Sequence, residues 1–201
     1  MAAPGQKLDA GVTELKSGRW VKFFTRDYVA NDGTKIQYEC FSRVKRGEVY
    51  ADGVDVLAVD KSDDSILLVE QYRAPVNKTC VEMPAGLIDF GESAAVSAVR
   101  ELREETGHVA SDPANVQVTP VFYADPSLTD DSTCVATVEF DAAKGKSNAL
   151  EAGDEITLVR KVRLAELKDV LDEYAAKGYA VDAKVYMFAL GYDMALKSRK
   201  L

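Results

Sequence analysis

Hydrophobic positions in the first part of the chain occur in short runs that predict a β-hairpin. Aromatic and β-branched residues fill the stretches 19–28 and 35–44, and the segment 31–34 between them reads Asn-Asp-Gly-Thr. Because an Asp-Gly pair favours a tight turn with positive φ, the two stretches should pair as antiparallel strands. Residues 1–18 carry small and polar side chains with weak periodicity, which is typical of a mobile arm.

After residue 48 the pattern predicts a mixed sheet with helices. Apolar runs bounded by turn residues predict strands at 52–59, 65–72, 79–82, 116–123, 132–140 and 155–162, with 84–86 as a loop. Amphipathic periodicity predicts helices at 92–106, 164–177 and 182–198. Strands on both sides of one central helix indicate an α+β fold, an α/β/α sandwich with a mixed sheet, preceded by the hairpin. We expect an N-terminal arm and hairpin at 1–47 and a main domain at 48–201.

Composition is that of a globular protein with one main core. The chain has 201 residues, of which 47% are hydrophobic and 29% charged, and no run of about 18 apolar residues that could cross a bilayer. Its first residues carry neither the apolar core of a signal peptide nor the arginines of a transit peptide. We therefore expect no membrane partner and a cytoplasmic location, with a nuclear or organellar one left open.

Net charge limits the class of ligand, and the cysteines indicate whether disulfides are present. The formal net charge is −8, and without a basic stripe this argues against nucleic acid as a partner. An anionic substrate would then need metal ions or a few local arginines. Cys40, Cys80 and Cys134 are odd in number and far apart, so we expect buried thiols and no disulfide framework.

The predicted central helix carries a crowded group of glutamates. Glu101 and Glu105 are four residues apart and share a helix face, where unneutralised like charges cost about 0.2–0.5 kcal/mol per pair. One interpretation is a solvated face softened by Arg100 and Arg103. The other is a metal site, because the apolar residues of the helix turn the glutamates toward the loop at 84–86. Carboxylate and carbonyl oxygens suit Mg²⁺, with Mn²⁺ as the alternative.

The segment from Gly86 to Gly107 resembles a known family motif. It reads Gly-x5-Glu-x7-Arg-Glu-apolar-x-Glu-Glu-x-Gly, which is the pattern of the Nudix box at every position except the last, where an apolar residue is replaced by His108. We expect His108 to make a packing contact at the helix end. The resemblance implies hydrolysis of a nucleoside diphosphate linked to a further moiety, with divalent metal ions bound by this helix.

The flanking residues resemble one branch of that family. The stretches 70–75 and 81–89 read Glu-Gln-Tyr-Arg-Ala-Pro and Val-Glu-Met-Pro-Ala-Gly-Leu-Ile-Asp, as in the ADP-ribose pyrophosphatases, or ADP-sugar diphosphatases. The resemblance extends from about Lys16 to Leu196. It implies hydrolysis of ADP-ribose to AMP and ribose 5-phosphate, and a homodimer in which the hairpin within 1–47 brings an aromatic side chain to the partner's adenine.

The resemblance also implies a role for individual residues. Metal ions would be held by the Ala85 carbonyl, Glu101 and Glu105, with Glu104 completing the set and contributing to catalysis. The general base would be Glu155, with Asp154 and Glu151 as alternatives. Substrate would be bound by Trp20, Tyr38, Glu39, Arg43, Arg73, Leu87 and Asp125. Of these, Trp20 and Tyr38 would stack on adenine, Glu39 would bond its edge, the arginines would engage the diphosphate or ribose, and Asp125 would lie on the ribose side.

The same residues allow other interpretations. Arg43 and Arg73 could form surface ion pairs, Trp20 could be an interface or core anchor, and Asp125 could be a turn residue before proline. The substrate could be another nucleoside diphosphate sugar or an oxidised nucleoside diphosphate. The chain could also be a module that binds ADP-ribose without cutting it, although the intact glutamates argue against this.

Overall fold

The chain folds as alternating strands and helices, seen in a computed structural model that describes residues 9–44, 49–144 and 156–198. The strands are β1 (Asp9–Ser17), β2 (Val21–Val29), β3 (Lys35–Arg43), β4 (Gly53–Asp60), β5 (Ser65–Arg73), β6 (Lys78–Glu82), β7 (Ala85–Leu87), β8 (Gln117–Val118), β9 (Phe122–Tyr123), β10 (Ser132–Phe140), β11 (Ile156–Arg163) and β12 (Ala180–Val181). The helices are α1 (Ala94–Thr106), α2 (Leu167–Ala176) and α3 (Ala183–Ser198), with 3₁₀ turns at Pro113–Asn115, Ala142–Lys144 and Leu164–Glu166.

These elements form two compact units. Among the described residues, the first unit comprises 9–44 together with Phe122–Ser132, and the second comprises 49–121, 133–144 and 156–198. The first unit therefore includes a segment, 122–132, that lies far from the predicted N-terminal part in sequence.

The first unit contains an antiparallel sheet in the order β1-β2-β3. Strands β2 and β3 form the predicted hairpin, and Gly33 adopts a φ of 86° in its turn, a conformation that glycine adopts without strain. The expectation of a mobile arm is wrong over 9–17, because β1 pairs with β2 along its whole length. The side chains of 11–17 stay exposed, so backbone hydrogen bonds hold this strand, and the hydrophobic pattern does not record them.

The second unit contains a mixed sheet in the order β12-β6-β5-β4-β10-β8. Strand β10 runs parallel to β4, and β12 runs parallel to β6. Strand β11 pairs with β5, and β7 pairs with the beginning of β4. The segment 84–86, expected as a loop, thus contributes most of a short strand. The single strand expected at 116–123 is divided into β8 and β9 around Pro120, which has no N–H for a sheet ladder.

Helices cover both faces of this sheet, as the predicted sandwich requires. Leu67 packs in the cluster of α1, with Ala98 and Leu102. Its neighbours Ile66 and Leu68 pack in the second cluster, with residues of α2 and α3. Because successive strand residues point to opposite faces, the two clusters lie on opposite sides of β5. None of the described helices is long and apolar enough to cross a membrane.

Candidate functional site

Both ends of α1 are fixed by local chemistry, and this sets the orientation of its glutamates. Ser93 caps the N-terminus, where its side chain accepts a hydrogen bond from the N–H of Val96. Gly107 ends the helix with a φ of 73° and donates its N–H to the carbonyl of Arg103. Within these bounds Glu101 and Glu105 are buried, with exposures of 9% and 8%.

The two buried glutamates meet strand β7. The N–H of Ala85 donates to Oε2 of Glu105 at 2.9 Å. A Cβ added to Gly86 would lie 1.9 Å from Oε1 of Glu101, so the carboxylate fits only because residue 86 has no side chain. The predicted approach of the glutamates to this segment is therefore confirmed, and glycine at position 86 makes it possible.

Burial makes the two carboxylates costly to ionise. It raises the pKa of Glu105 to about 8, against the effect of the Ala85 hydrogen bond, and the charge of Glu101 adds to the rise. Burial also raises the pKa of Glu101, although its hydrogen bond with Arg100 acts in the opposite direction. A further positive charge at this position would stabilise both ionised forms.

Arg100 neutralises part of the glutamate group. Its Nη1 donates to Glu101 at 2.6 Å and to Glu104 at 3.2 Å, and its Nη2 donates to Glu92 at 3.0 Å and to the carbonyl of Leu87 at 3.1 Å. One side chain thus connects Glu92, just before α1, with two glutamates of the helix and with the end of β7. The partial neutralisation of glutamate charge that was expected from Arg100 is therefore present.

The donor set fits a hard divalent cation. Glu101, Glu104 and Glu105 supply oxygens only, and the glycine at 86 leaves room for a carboxylate beside the backbone of β7. Within the described ranges no group of three or more His, Cys, Asp or Glu side chains is already arranged around a metal position. Arg100 holds Glu101 and Glu104, and Ala85 holds Glu105, so the carboxylates have other partners.

Arg73 lies in the same unit and is held by a residue that the sequence did not single out. Its Nε and Nη2 donate to the carboxylate oxygens of Glu82 at 2.8 and 2.5 Å. The charge of Glu105 also acts on Arg73, so its guanidinium is electrostatically linked to the glutamate group. The signal that could have revealed Glu82 is an acid on the strand that pairs with β5, on the same face of the sheet as Arg73.

Leu87, at the end of β7 and 43% exposed, also lies in the second unit. The remaining substrate-binding candidates belong to the first unit. The hydroxyl of Tyr38 donates to the carbonyl of Ser127 at 2.8 Å, and the side chain of Asp125 accepts a bond from the Ser127 hydroxyl at 2.5 Å. The structure thus brings Tyr38 to the segment that contains Asp125. Arg43 forms a two-point ion pair with Asp131, which corresponds to its interpretation as a surface ion pair.

The aromatic candidates present open surfaces. Trp20 is 52% exposed, with the guanidinium of Arg19 lying 4.7 Å from its ring centroid, and Tyr38 is 44% exposed. Glu39 neighbours Tyr38 on β3 and therefore points to the opposite face of the sheet. Stacking and recognition of adenine by these residues remain predictions.

Three other predictions concern single residues. Glu155, with its alternatives Asp154 and Glu151, lies outside the described residues, and its role as base remains a prediction. His108 packs on the ring of Phe140 at 4.7 Å between centroids, the helix-end contact that was expected. The three cysteines are free, but only Cys80 and Cys134 are buried, since Cys40 is partly exposed.

Comparison with known proteins shows the family of the chain. The NUDIX domain model matches residues 49–186. An ADP-ribose pyrophosphatase of Saccharomyces cerevisiae is 32% identical over 92% of the chain and 81% of its own length. An ADP-sugar pyrophosphatase of Mus musculus is 32% identical over 98% and 90%.

An uncharacterised Nudix hydrolase of Schizosaccharomyces pombe is 34% identical over 96% of the chain and 91% of its own length. The fold is that of a crystal structure described as an ADP compounds hydrolase, with a TM-score of 0.67, 22% identity and 96% of each chain covered. The family match covers more than half of the chain, and the motif of α1 lies inside it. The chain belongs to the Nudix hydrolase family.

Proposed function

We propose that the chain hydrolyses the pyrophosphate of ADP-ribose and related ADP-sugars to AMP and ribose 5-phosphate. The observation that carries the proposal is the pair of buried carboxylates, Glu101 and Glu105, that α1 turns toward the backbone of β7. The names of the yeast and mouse relatives support ADP-ribose and ADP-sugars as the substrate class. A binding module would have no need for a crowded acidic face.

The cofactor we propose is Mg²⁺, with Mn²⁺ as an alternative. Ala85, Glu101 and Glu105 would hold it, and Glu104 would complete the set. When bound, a divalent cation would neutralise the charge that develops on the pyrophosphate. The carboxylates would have to exchange their hydrogen bonds with Arg100 and Ala85 for this ion. Arg100 would keep its bonds to Glu92 and to the carbonyl of Leu87.

The chain's own residues would orient the diphosphate and activate water. Arg73 offers a charged fork of the geometry that phosphate oxygens accept. Glu155 is the base that we propose to take a proton from the attacking water. In a homodimer, the adenine would stack on Trp20 or Tyr38 of the partner subunit, with Glu39, Arg43, Leu87 and Asp125 as further contacts.

The test is turnover of ADP-ribose with Mg²⁺ in ¹⁸O-labelled water, with AMP and ribose 5-phosphate identified by mass spectrometry. The position of the label shows which phosphorus the water attacks. Glu101→Gln and Glu105→Gln should each lower kcat by about 10²-fold or more, because each removes a charge from the proposed metal site. Glu173→Gln, on the exposed face of α2, is the matched control and should leave turnover unchanged.

The competing substrates are tested in the same assay. GDP-mannose and an oxidised guanosine diphosphate represent the other nucleoside diphosphate sugars and the oxidised nucleotides, because aromatic stacking accepts many bases. If either compound is hydrolysed faster than ADP-ribose, that compound is the preferred substrate and the assignment of ADP-ribose is wrong. Normal turnover by both glutamine variants at saturating Mg²⁺ would overturn the proposed metal site.

A further inference from the structure

Arg73 and Glu82 are joined across the hairpin of β5 and β6. The antiparallel register places Arg73 opposite Lys78 and Glu82 opposite Val69, so both side chains leave the same face of the sheet. The guanidinium reaches back along the hairpin and binds both carboxylate oxygens of Glu82 through Nε and Nη2, at 2.8 and 2.5 Å. Two parallel bonds fix the plane of the guanidinium as well as its position.

Glu82 is the anchored member of this pair. Its side chain is 11% exposed, while that of Arg73 is 42% exposed. A carboxylate this deeply buried is stable as an anion only when it is paired. Burial and a hydrogen bond with Glu82 raise the pKa of the neighbouring Cys80 to about 12, so Cys80 stays a neutral thiol and adds no competing charge. The exposed end of the pair is therefore the arginine.

Two carboxylates act on the guanidinium of Arg73 in different ways. Its pKa is raised chiefly by the hydrogen bonds to Glu82, and the charge of Glu105 also contributes. Among the described residues, its third nitrogen, Nη1, has no hydrogen-bond partner. Without Glu82, the charge of Glu105, a proposed metal ligand, would attract the flexible arginine instead.

We propose that Glu82 is a positioning residue for the substrate. By holding Nε and Nη2 of Arg73, it keeps the guanidinium away from Glu105 and presents the remaining N–H groups to the diphosphate. This inference rests on the proposed function, in which Arg73 receives that diphosphate. It adds a specific requirement: the acid that never touches the substrate determines how tightly the substrate binds.

A set of variants distinguishes an effect of Glu82 on the position of Arg73 from a loss of stability. Glu82→Gln keeps the size of the side chain but removes the charge that orients the fork. Arg73→Gln removes the fork, and the double variant leaves two neutral amides without a buried unpaired charge. Should Arg73→Gln fail to fold, Arg73→Lys replaces it in both backgrounds, because lysine keeps the charge but cannot make two parallel bonds. Asp60→Asn is the matched control, since Asp60 is another buried carboxylate with a basic partner, at the opposite end of β4 from β7.

The measurement is the dissociation constant of the α,β-methylene analogue of ADP-ribose, with Mg²⁺, by calorimetry. The analogue is not cleaved at the pyrophosphate, so binding is read without turnover. Glu82→Gln should weaken binding about tenfold, and it should have no further effect in the Arg73→Gln background. Asp60→Asn should lower the unfolding midpoint while the dissociation constant stays that of the unmodified chain.

The outcomes also separate this inference from the proposed function. If the unmodified chain binds the analogue with the expected coupling but does not cleave ADP-ribose, the proposed function is overturned and the role of Glu82 stands. Binding by Glu82→Gln that equals the unmodified chain overturns the inference. An equal loss in both backgrounds also overturns it, because Glu82 would then act without Arg73. Absence of analogue binding by the unmodified chain overturns both.

Discussion

The carboxylate of Glu101 occupies the space that a side chain at Gly86 would need. A Cβ at residue 86 would lie 1.9 Å from Oε1 of Glu101 and 2.6 Å from Oε2. This contact connects β7 to α1 at the point where the metal is proposed to bind. The glycine of the motif is therefore explained by a close approach, because its Cβ would meet the carboxylate itself.

Gly86→Ala should displace this carboxylate and lower kcat/KM for ADP-ribose by about 10²-fold, the loss typical of misplaced metal ligands. The control is Gly191→Ala in α3, where a Cβ meets nothing within 4 Å. That change should stabilise the helix by about 0.5–1 kcal/mol and leave turnover unchanged. Steady-state kinetics and thermal unfolding of both variants test the point. Unchanged turnover in Gly86→Ala would show that Glu101 need not lie where the structure has it.

Glu155→Gln should lower kcat by about 10²–10⁴-fold while leaving substrate binding nearly intact, because a general base acts on the water in the transition state. Single-turnover rates and binding of the α,β-methylene analogue separate the two effects. Asp154→Asn and Glu151→Gln are the comparators from the same segment. If one of them is the inactive variant, the base is that residue and the assignment to Glu155 is wrong.

The sequence predicts where the residues of the motif lie on the helix, but it does not predict the hydrogen bonds among them. Spacing alone indicates that Glu101 and Glu105 share a face, and Gly107 marks the end of the helix. The distribution of Arg100 over Glu92, Glu101, Glu104 and the carbonyl of Leu87 could not be predicted, because four acceptors lie within reach of one long side chain and packing decides among them.

Contacts between strands are the features that the amino-acid sequence predicts least well. The side chains of residues 11–17 in β1 are exposed, so the pairing of this strand with β2 leaves no hydrophobic signal. The bond between Arg73 and Glu82 depends on the register of a hairpin, and a shift of one residue would place the two on opposite faces. A local pattern of hydrophobic and polar residues indicates that a segment is a strand, but it does not indicate which strand pairs with it. For this reason neither the pairing of β1 nor the bond between Arg73 and Glu82 was predicted.

The ion pair of Asp60 and Lys161 should make stability depend on pH. Asp60 is fully buried, and hydrogen bonds from Lys161 and Ser62 hold its pKa well below the usual range. An acid with a lowered pKa stabilises the fold above its unfolded value of about 3.9, and that contribution is lost as the pH falls toward the folded value.

Asp60→Asn should therefore lower the free energy of unfolding by about 1–3 kcal/mol at pH 7. The difference from the unmodified chain should shrink as the pH falls below about 4. Urea denaturation at pH 7, 4 and 3 measures it. Asp172→Asn, in an exposed pair with Lys168 on α2, should lower the free energy of unfolding less than Asp60→Asn does, because water screens exposed charges. A difference that stays constant down to pH 3 would show that charge is not what Asp60 contributes.

The N-terminal sheet exposes large apolar side chains that isolated chains seldom leave in water. Val12, Leu15, Trp20 and Phe41 have exposures between 42% and 52%. Exposed apolar residues concentrated in one small sheet mark surfaces that bind another protein or a ligand. The occupant that we propose is a second copy of the chain, which would also bring an aromatic ring to the partner's adenine.

Sedimentation at assay concentration should therefore give a mass near 44 kDa, twice the 21.9 kDa of one chain. Trp20→Ala should weaken binding of the α,β-methylene analogue by about 1–3 kcal/mol if one base stack is lost, while Met187→Ala, on the exposed side of α3, should leave it unchanged. The two measurements separate assembly from stacking: a dimer with unchanged binding in Trp20→Ala would keep the interface and exclude the tryptophan from the adenine site. A fully active species with the mass of a single chain would exclude the shared site, because each subunit would then complete its own.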